Sequence, residues 1–296
     1  MAKVSILMNG YNSQQYLKEA IDSVYAQTFQ DWEIIFVDNC STDDTKKIVD
    51  SYNDKIKYYK TIQNIPLGAA RNFGVTKCKG KYIAFLDTDD IWLENKLKQQ
   101  VEEMDKSDEF ELCYGGVIYI DKNGQEIGKM LPMAISGNVF AQQLKRYEIN
   151  MQSVILRNNE SIQFNERLRH SPDFDLFMTL ASKSKVYIIN DFIVKYRKLT
   201  SSLTSKNIDV WWSEMKYTLD KIFEANYNLQ EKYSKEFKLA YAKVFYYKAR
   251  YLLSIGKKVE AREELSKVKF VNSVYFMLYA ILFFPISLWN LIHKFK

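Results

Sequence analysis

Lys81-Tyr82-Ile83-Ala84-Phe85-Leu86-Asp87-Thr88-Asp89-Asp90-Ile91-Trp92 is the stretch on which the reading of the chain turns. Tyr82 to Leu86 is a short apolar run with aromatic and β-branched members, preceded by Gly80 and followed by acids. Such a run reads as a strand buried on both faces, as in the interior of a parallel sheet. Side chains two apart in extended chain point the same way, so Asp87 and Asp89 aim at one point beyond the strand end. In open α/β sheets that edge is where ligands bind. Two close carboxylates repel unless a cation sits between them. A hard divalent ion with oxygen ligands is the natural partner, and such an ion commonly holds a diphosphate as well. An acidic turn without a ligand stays open as the alternative, because acids are common turn residues. A calcium-binding EF-hand loop starting at Asp87 is excluded: Trp92 stands where Gly is needed and Lys98 where Glu is needed.

Outward from this strand, the preceding eighty residues alternate strand and helix. Val4 to Met8, Glu33 to Val37 and Ile56 to Tyr59 read as strands. Leu17, Ala20, Ile21 and Val24 share one face of a helix, and Ser41-Thr42-Asp43-Asp44 offers an N-cap for a second. A third helix follows Pro66. The alternation predicts an α/β fold with a mostly parallel central sheet. After a helix near Leu93 to Met104 the pattern changes. Leu112 to Ile120 and Gln125 to Lys129 flank Asn123-Gly124 as a hairpin, and Phe140 to Tyr147 reads as a helix. Ser153 to Leu156, Val186 to Ile189 and Ile193 to Tyr196 read as strands. Ser171-Pro172 opens a helix with Ser at the N-cap and Pro at its first position. From about Asp209 onward the chain reads as helical, with Gly256 between two helices, which places a boundary near Ser205. Residues 1–205 then form one domain and 206–296 a helical C-terminal region. No Gly-x-Gly-x-x-Gly and no Walker-type loop occurs.

At 296 residues, 47% hydrophobic and 26% charged, the chain can bury a substantial core and is not of disordered composition. The net charge of +6 is concentrated late: Lys and Arg thicken after Lys195 in an aromatic-rich region. That distribution suits an anionic membrane surface better than nucleic acid, with a solvated basic helical face as the plainer alternative. Three widely spaced cysteines, Cys40, Cys78 and Cys113, make neither a metal pair nor a disulfide framework. The first residues read as a strand rather than a signal peptide. The expectation is a cytoplasmic protein, peripheral or monotopic on the cytoplasmic face of the inner membrane.

Four places together resemble the large inverting family of nucleotide-sugar glycosyltransferases called family two, with the GT-A fold. They are Tyr11-Asn12 after the first strand, Asp38-Asn39 with Ser41-Thr42-Asp43 after the second, Gly68-Ala69-Ala70-Arg71-Asn72, and Asp87-Thr88-Asp89-Asp90, which looks like the family's DxD motif. The resemblance covers residues 3–204. It implies a nucleoside diphosphate sugar donor, UDP-linked, and a Mn²⁺ or Mg²⁺ cofactor. It implies that Tyr11, Asn12 and Asp38 lie against the nucleotide, that Arg71 contacts the nucleotide or the strand-end acids, and that Asp87 and Thr88 belong to the nucleotide-sugar site. Asp89, with Asp87, would hold the metal. The chemistry agrees: an aromatic ring stacks on a base, a carboxylate accepts from ribose, and an Arg fork suits carboxylate or phosphate. Inverting transfer needs a base, and Asp173 falls on the family's base position. Pro172 replaces the family's usual Glu. Asp175 lies about 200° round the helix from Asp173, so the two should not share the site. Tyr196-Arg197-Lys198-Leu199, followed by Thr200 to Thr204, matches a later Tyr-Arg-x-His segment, with Leu199 in place of His. Two rival readings are a sugar nucleotidyltransferase, which lacks its Gly-rich loop here, and a non-catalytic nucleotide-sugar-binding scaffold on the same fold.

Phe270 to Ile292 carries no charge over 23 residues, long enough to span a bilayer. Asn272, Pro285 and Asn290 interrupt it and lysines flank both ends. It reads as a re-entrant or surface-lying membrane segment; a buried helix hairpin is the alternative. With the basic tail, it suggests a glycan acceptor carried on membrane lipid and a role in surface polysaccharide or glycoprotein glycan assembly.

Overall fold

The computed structural model describes residues 1–199 and 208–294. The expected boundary at Ser205 and the segment Thr200 to Thr204 lie outside them. The chain divides into two compact units, one of residues 1–143 and 147–202, the other of 144–146 and 203–296.

Nine strands form one sheet in the first unit. Four of them, β1 (Val4–Gly10), β2 (Trp32–Asp38), β3 (Ile56–Lys60) and β4 (Tyr82–Phe85), run parallel in the order β3-β2-β1-β4. Helices α1 (Leu17–Tyr25), α2 (Thr45–Asp50) and α3 (Leu67–Val75) make the crossovers. Past β4 the sheet is mixed. β8 (Ile155–Arg157) runs antiparallel beside β4, followed by β6 (Phe110–Ile120), β9 (Lys185–Arg197) and the two-residue β5 (Ile91–Trp92); β7 (Glu126–Met130) closes a hairpin on β6. β1, β2, β3, β4, β6 and β9 share one direction. All four residues of β4 are buried, as a two-sided apolar strand requires.

The expected pair of strands over Val186 to Tyr196 is one continuous strand. β9 runs through the polar Asn190-Asp191 because it follows β6 in parallel, and register shifts at Gly115 and Gly116 absorb the irregularity. The helix expected near Leu93 begins later, as α4 (Lys96–Lys106), since Ile91 and Trp92 pair with β9. After α5 (Phe140–Lys145), Ser171 stands before α6 (Pro172–Lys183) but its side chain makes no capping hydrogen bond. Asp44 precedes α2 without capping it; Asp43 Oδ1 accepts from Thr45 N instead.

Register brings the functional ends together. Gly10 pairs with Asp38 and Leu7 with Phe85, so the chain leaves β1, β2 and β4 along one edge. β1 has β2 on one side and β4 on the other, so its end is the point where strand order reverses. Gly10 is needed there: a Cβ would stand 2.4 Å from Ser13 Oγ and 3.0 Å from Thr88 Cγ2.

The second unit is helical among its described residues, with helices Ile208–Ala225, Tyr227–Lys232, Ser234–Ser254, Lys258–Ser266, Ser273–Ile281 and Ile286–Lys294. Gly256, at φ +80°, makes the expected break. Nowhere among the described residues is a helix long and apolar enough to cross a membrane.

Candidate active site

Two loops at the strand ends are laced to each other. Asn12 N donates to Ser41 Oγ (2.9 Å), and Asn12 Oδ1 accepts from Thr42 N (2.9 Å). Ser13 N donates to Thr45 Oγ1 and Gln14 N to Asp43 Oδ2, while Asp44 N donates back to Gln14 Oε1. Asn12 and Cys40 both hold positive φ, 51° and 70°, a conformation Asn tolerates because its short polar side chain bonds locally. Asp38 is fully buried at the base of this lacing. Its Oδ1 accepts from Ser41 N (2.7 Å) and its Oδ2 from the Tyr58 hydroxyl, with Lys60 Nζ 4.0 Å away. Tyr11 stands 54% exposed beside them, its ring open to a flat partner.

The acids after β4 are held differently. Arg71, on the inner face of α3 and 4% exposed, donates to Asp87 Oδ1 at 3.3 Å, and its guanidinium lies 5.6 Å from the Phe164 ring centre. Its buried Nε has no hydrogen-bond partner. Gln152 grips Asp87 twice: Nε2 donates to Asp87 Oδ2 (2.5 Å), and Oε1 accepts from Asp87 N (2.6 Å). Gln152 is itself fixed in the 3-10 turn Met151–Ser153, where its carbonyl accepts from Trp92 Nε1 (2.9 Å). Thr88 Oγ1 donates to Ser13 Oγ, tying the acidic turn to the loop after β1.

Asp89 is half-buried, and no neighbouring side chain donates to its carboxylate among the described residues. Burial first, and the charge of Asp87 second, push its pKa up to about 6. Asp90 turns inward: Oδ1 accepts from Arg197 N (2.7 Å), Oδ2 is buried without a partner, and burial plus the two neighbouring acids hold its pKa well above the usual range. Arg197, 2% exposed at the end of β9, is the clamp on this turn. Its Nε donates to Asp89 O (2.9 Å) and its Nη2 to Glu19 Oε2 (2.6 Å), and it stacks 4.2 Å from the Tyr16 ring centre.

Asp173 opens α6, whose Phe174, Leu176, Phe177 and Leu180 are buried. Desolvation raises its pKa, the positive charge of Arg71 opposes that rise, and Asp87 adds to it. Those influences place Asp173 within electrostatic reach of the Arg71–Asp87 pair. Asp175 is 3% exposed, on another side of the helix. Tyr147 packs edge-on against Phe174 at 4.8 Å, and its buried hydroxyl has no hydrogen-bond partner.

The half-buried Asp89, raised by burial first and by the like charge of Asp87 second, is the kind of carboxylate that a hard divalent cation would relieve. Among the described residues no three His, Cys, Asp or Glu side chains converge as a metal site. Asp87 and Asp89 are the carboxylates at this end that could take part in holding such an ion.

Of the residues singled out from sequence, Arg71 bonds Asp87; Asp89 and Asp173 each feel the charge of Asp87; Thr88 is linked to Ser13; and Tyr11 is exposed. Asn12 bonds the loop after β2, and Asp38 accepts from Ser41 in its own loop and from Tyr58 on β3. Gln152, Tyr147 and Glu19 were not visible from sequence: each is an isolated polar residue that tertiary contact alone brings to the acidic turn or to Asp173. Arg197 was visible as part of a motif, but not as the clamp of that turn.

Comparison with known proteins adds a family match, three relatives and one solved structure. The description of glycosyl transferase family 2 matches residues 5–186. An uncharacterized glycosyltransferase of Methanocaldococcus jannaschii is 34% identical over 206 residues, covering 66% of this chain and 70% of that one. In Escherichia coli, the UDP-Glc:alpha-D-GlcNAc-diphosphoundecaprenol beta-1,3-glucosyltransferase WfgD is 32% identical over 206 residues, 68% of this chain and 79% of that protein. Against an uncharacterized glycosyltransferase of Rickettsia bellii the match spans only 29% of the relative's length. The crystal structure of Staphylococcus aureus TarS with UDP-GlcNAc superposes at a TM-score of 0.69, covering 90% of this chain and 80% of that one at 19% identity, which shows a shared fold.

Proposed function

The chain belongs to glycosyl transferase family 2, and from that premise we propose that it transfers a sugar, with inversion, from a UDP-sugar to a hydroxyl of a lipid-linked glycan in surface-glycan assembly. The observation that carries the reading is the Arg71–Asp87 pair at the carboxyl edge of the parallel strands, with Asp89 and Asp173 both within its electrostatic reach. The UDP donor is supported by the nucleotide sugar bound to TarS, which shares the fold. The lipid-linked acceptor is supported by the diphosphoundecaprenol acceptor in the name of WfgD.

The reaction follows from the chain's own groups. Tyr11 offers a ring for the base. Arg71 holds one guanidinium edge on Asp87 and supplies positive charge beside the strand-end acids, where the diphosphate would lie. Gln152 and Arg71 fix the Asp87 carboxylate in one orientation. Asp89 and Asp87 would hold Mg²⁺ or Mn²⁺, which when bound supplies positive charge against the departing diphosphate. Asp173 takes the proton from the acceptor hydroxyl as its oxygen bonds to the anomeric carbon. The bond from that carbon to the diphosphate oxygen breaks and its electron pair leaves with UDP. A carboxylate raised by burial is a stronger base than one in water, which suits it to this task. A single displacement inverts the anomeric centre.

The test is a panel of UDP-, GDP- and dTDP-sugars assayed for binding and slow hydrolysis with Mn²⁺ and with excess EDTA. Turnover of a UDP-sugar that EDTA removes and Mn²⁺ restores is the expected outcome. Full activity in EDTA would remove the metal from the reading. No nucleotide sugar bound under either condition would remove the reading itself.

A further inference from the structure

The second unit ends in two nine-residue helices, Ser273–Ile281 and Ile286–Lys294, separated by a turn at Leu282 to Pro285. Asn272 caps the first, accepting from Tyr275 N. One side of the pair is ordinary core. Tyr275, Leu278, Ile281, Leu282 and Trp289 pack on Ala242, Ala249, Ala261, Leu265 and Val268. The other side is apolar and uncovered: Phe270 is 82% exposed, Phe283 58%, Phe284 56%, Leu291 53%, Phe276 52% and Met277 49%. Single exposed apolar residues are common on proteins, but this many large ones on one short helix pair mark a binding surface.

Charge decides the occupant. After Glu264 the chain carries no Asp or Glu, and Glu264 itself is buried and paired with Lys248 and Lys267. Cations are anchored directly to the residues at the edge of the apolar face. The Arg262 guanidinium lies 4.6 Å from the Phe283 ring centre, Lys258 Nζ donates to Phe284 O (2.6 Å), and Lys269 Nζ sits 5.1 Å from the Phe270 ring and 4.8 Å from the Tyr279 ring. Aromatic rings flanked by long cationic side chains suit the boundary between acyl chains and anionic headgroups. A second copy on the same face would oppose two basic rims. Each helix is about 14 Å long against a hydrocarbon core of about 30 Å, so neither can span it.

We propose that this face docks on an anionic lipid bilayer, with Phe270, Phe276, Phe283, Phe284 and Leu291 entering the interface and Lys258, Arg262 and Lys269 meeting the headgroups. The helix pair lies in the membrane plane and its inner side stays on the protein core. The docking requires no nucleotide sugar and is independent of the transfer reaction.

The experiment is vesicle flotation of the purified full chain without nucleotide, using phosphatidylcholine alone and an equal mixture of phosphatidylcholine and phosphatidylglycerol. Wild type is expected to float with the anionic vesicles, to weaken with added salt, and to bind phosphatidylcholine poorly. Phe283→Ser with Phe284→Ser should lower partitioning at least about tenfold. Arg262→Gln with Lys269→Gln should bring binding on anionic vesicles down toward the phosphatidylcholine level. Because these side chains are exposed or partly exposed, thermal melting should confirm that both variants fold. No flotation with anionic vesicles, or unchanged flotation of both variants, overturns the proposal. A lipid-free dimer that the Phe283/Phe284 variant dissolves would assign the face to a second copy and overturn it equally.

Discussion

The loops after β1 and β2 and the acidic turn after β4 lie on one sheet edge and are built on opposite principles. In the first, the donors and acceptors on Asn12, Ser41, Asp43, Thr45 and Asp38 are spent on one another. In the second, Arg71 Nε and Asp90 Oδ2 are buried and unpaired, and Asp89 and Asp173 are raised by desolvation. Buried polar atoms without partners are costly, and a binding or reacting site is one place where a fold keeps them. The satisfied loops form a frame, and the unsatisfied turn is where charge is kept ready.

The sharpest break of this comparison is at Asp173. Asp173→Asn should lower sugar transfer by about 10²–10⁴-fold with donor affinity little changed, since only the transition state loses the base. Single-turnover transfer beside donor titration checks it; near-normal transfer would move the base elsewhere. The same group predicts the pH profile. Burial raises its pKa, so the ionised, active form is lost earlier as pH falls than it would be for an exposed Asp, and the acid limb of kcat should be displaced to higher pH and disappear in Asp173→Asn.

Next in size is Asp89, where activity and stability should part. Its folded pKa of about 6 lies above the unfolded value, so its ionisation costs stability as pH rises from about 4 to 6, by at most about 3 kcal/mol. Asp89→Asn should therefore abolish turnover while raising the melting temperature at pH 7, with the gain vanishing below pH 4. A less stable variant at pH 7 would mean that the acidic turn stores no strain of charge.

Gln152→Ala removes both hydrogen bonds to Asp87 and leaves the other site groups in place. A loss of about 1–3 kcal/mol in transition-state stabilisation is expected, read as kcat/KM for the UDP-sugar. The smallest effect belongs to the frame. Asn12→Ala loses the bond to Thr42 N and the tolerance of positive φ, and should cost about 1 kcal/mol of stability by denaturant melting, with transfer per folded molecule nearly unchanged. A large catalytic loss there would mean that the frame is part of the site.

The parallel half of the fold was legible because its signals are local: apolar runs of strand length at Val4, Glu33 and Tyr82, each followed by turn residues and a helical period. The antiparallel half was less so. Ile91-Trp92 is too short to show alternation, and Asn190-Asp191 interrupts β9 in sequence although pairing with β6 carries the strand straight through. At the site, Asp87, Asp89 and Asp173 were visible as acids at element ends. Gln152 and Glu19 had no motif, because their roles depend on partners 65 and 178 residues away.

By itself, then, the sequence determined the α/β class, the acidic strand end, an acid at the start of a later helix and the uncharged basic-flanked tail. Each is a matter of residue type at short spacing, where backbone geometry alone decides which way a side chain points. Only the tertiary structure decided that Asn12 and Asp38 face their neighbours, that Gln152 and Arg197 hold the acids in place, and that the tail buries one side and leaves the other bare. Those outcomes depend on which buried polar atoms find partners, a balance set by desolvation and contact between segments far apart in the chain.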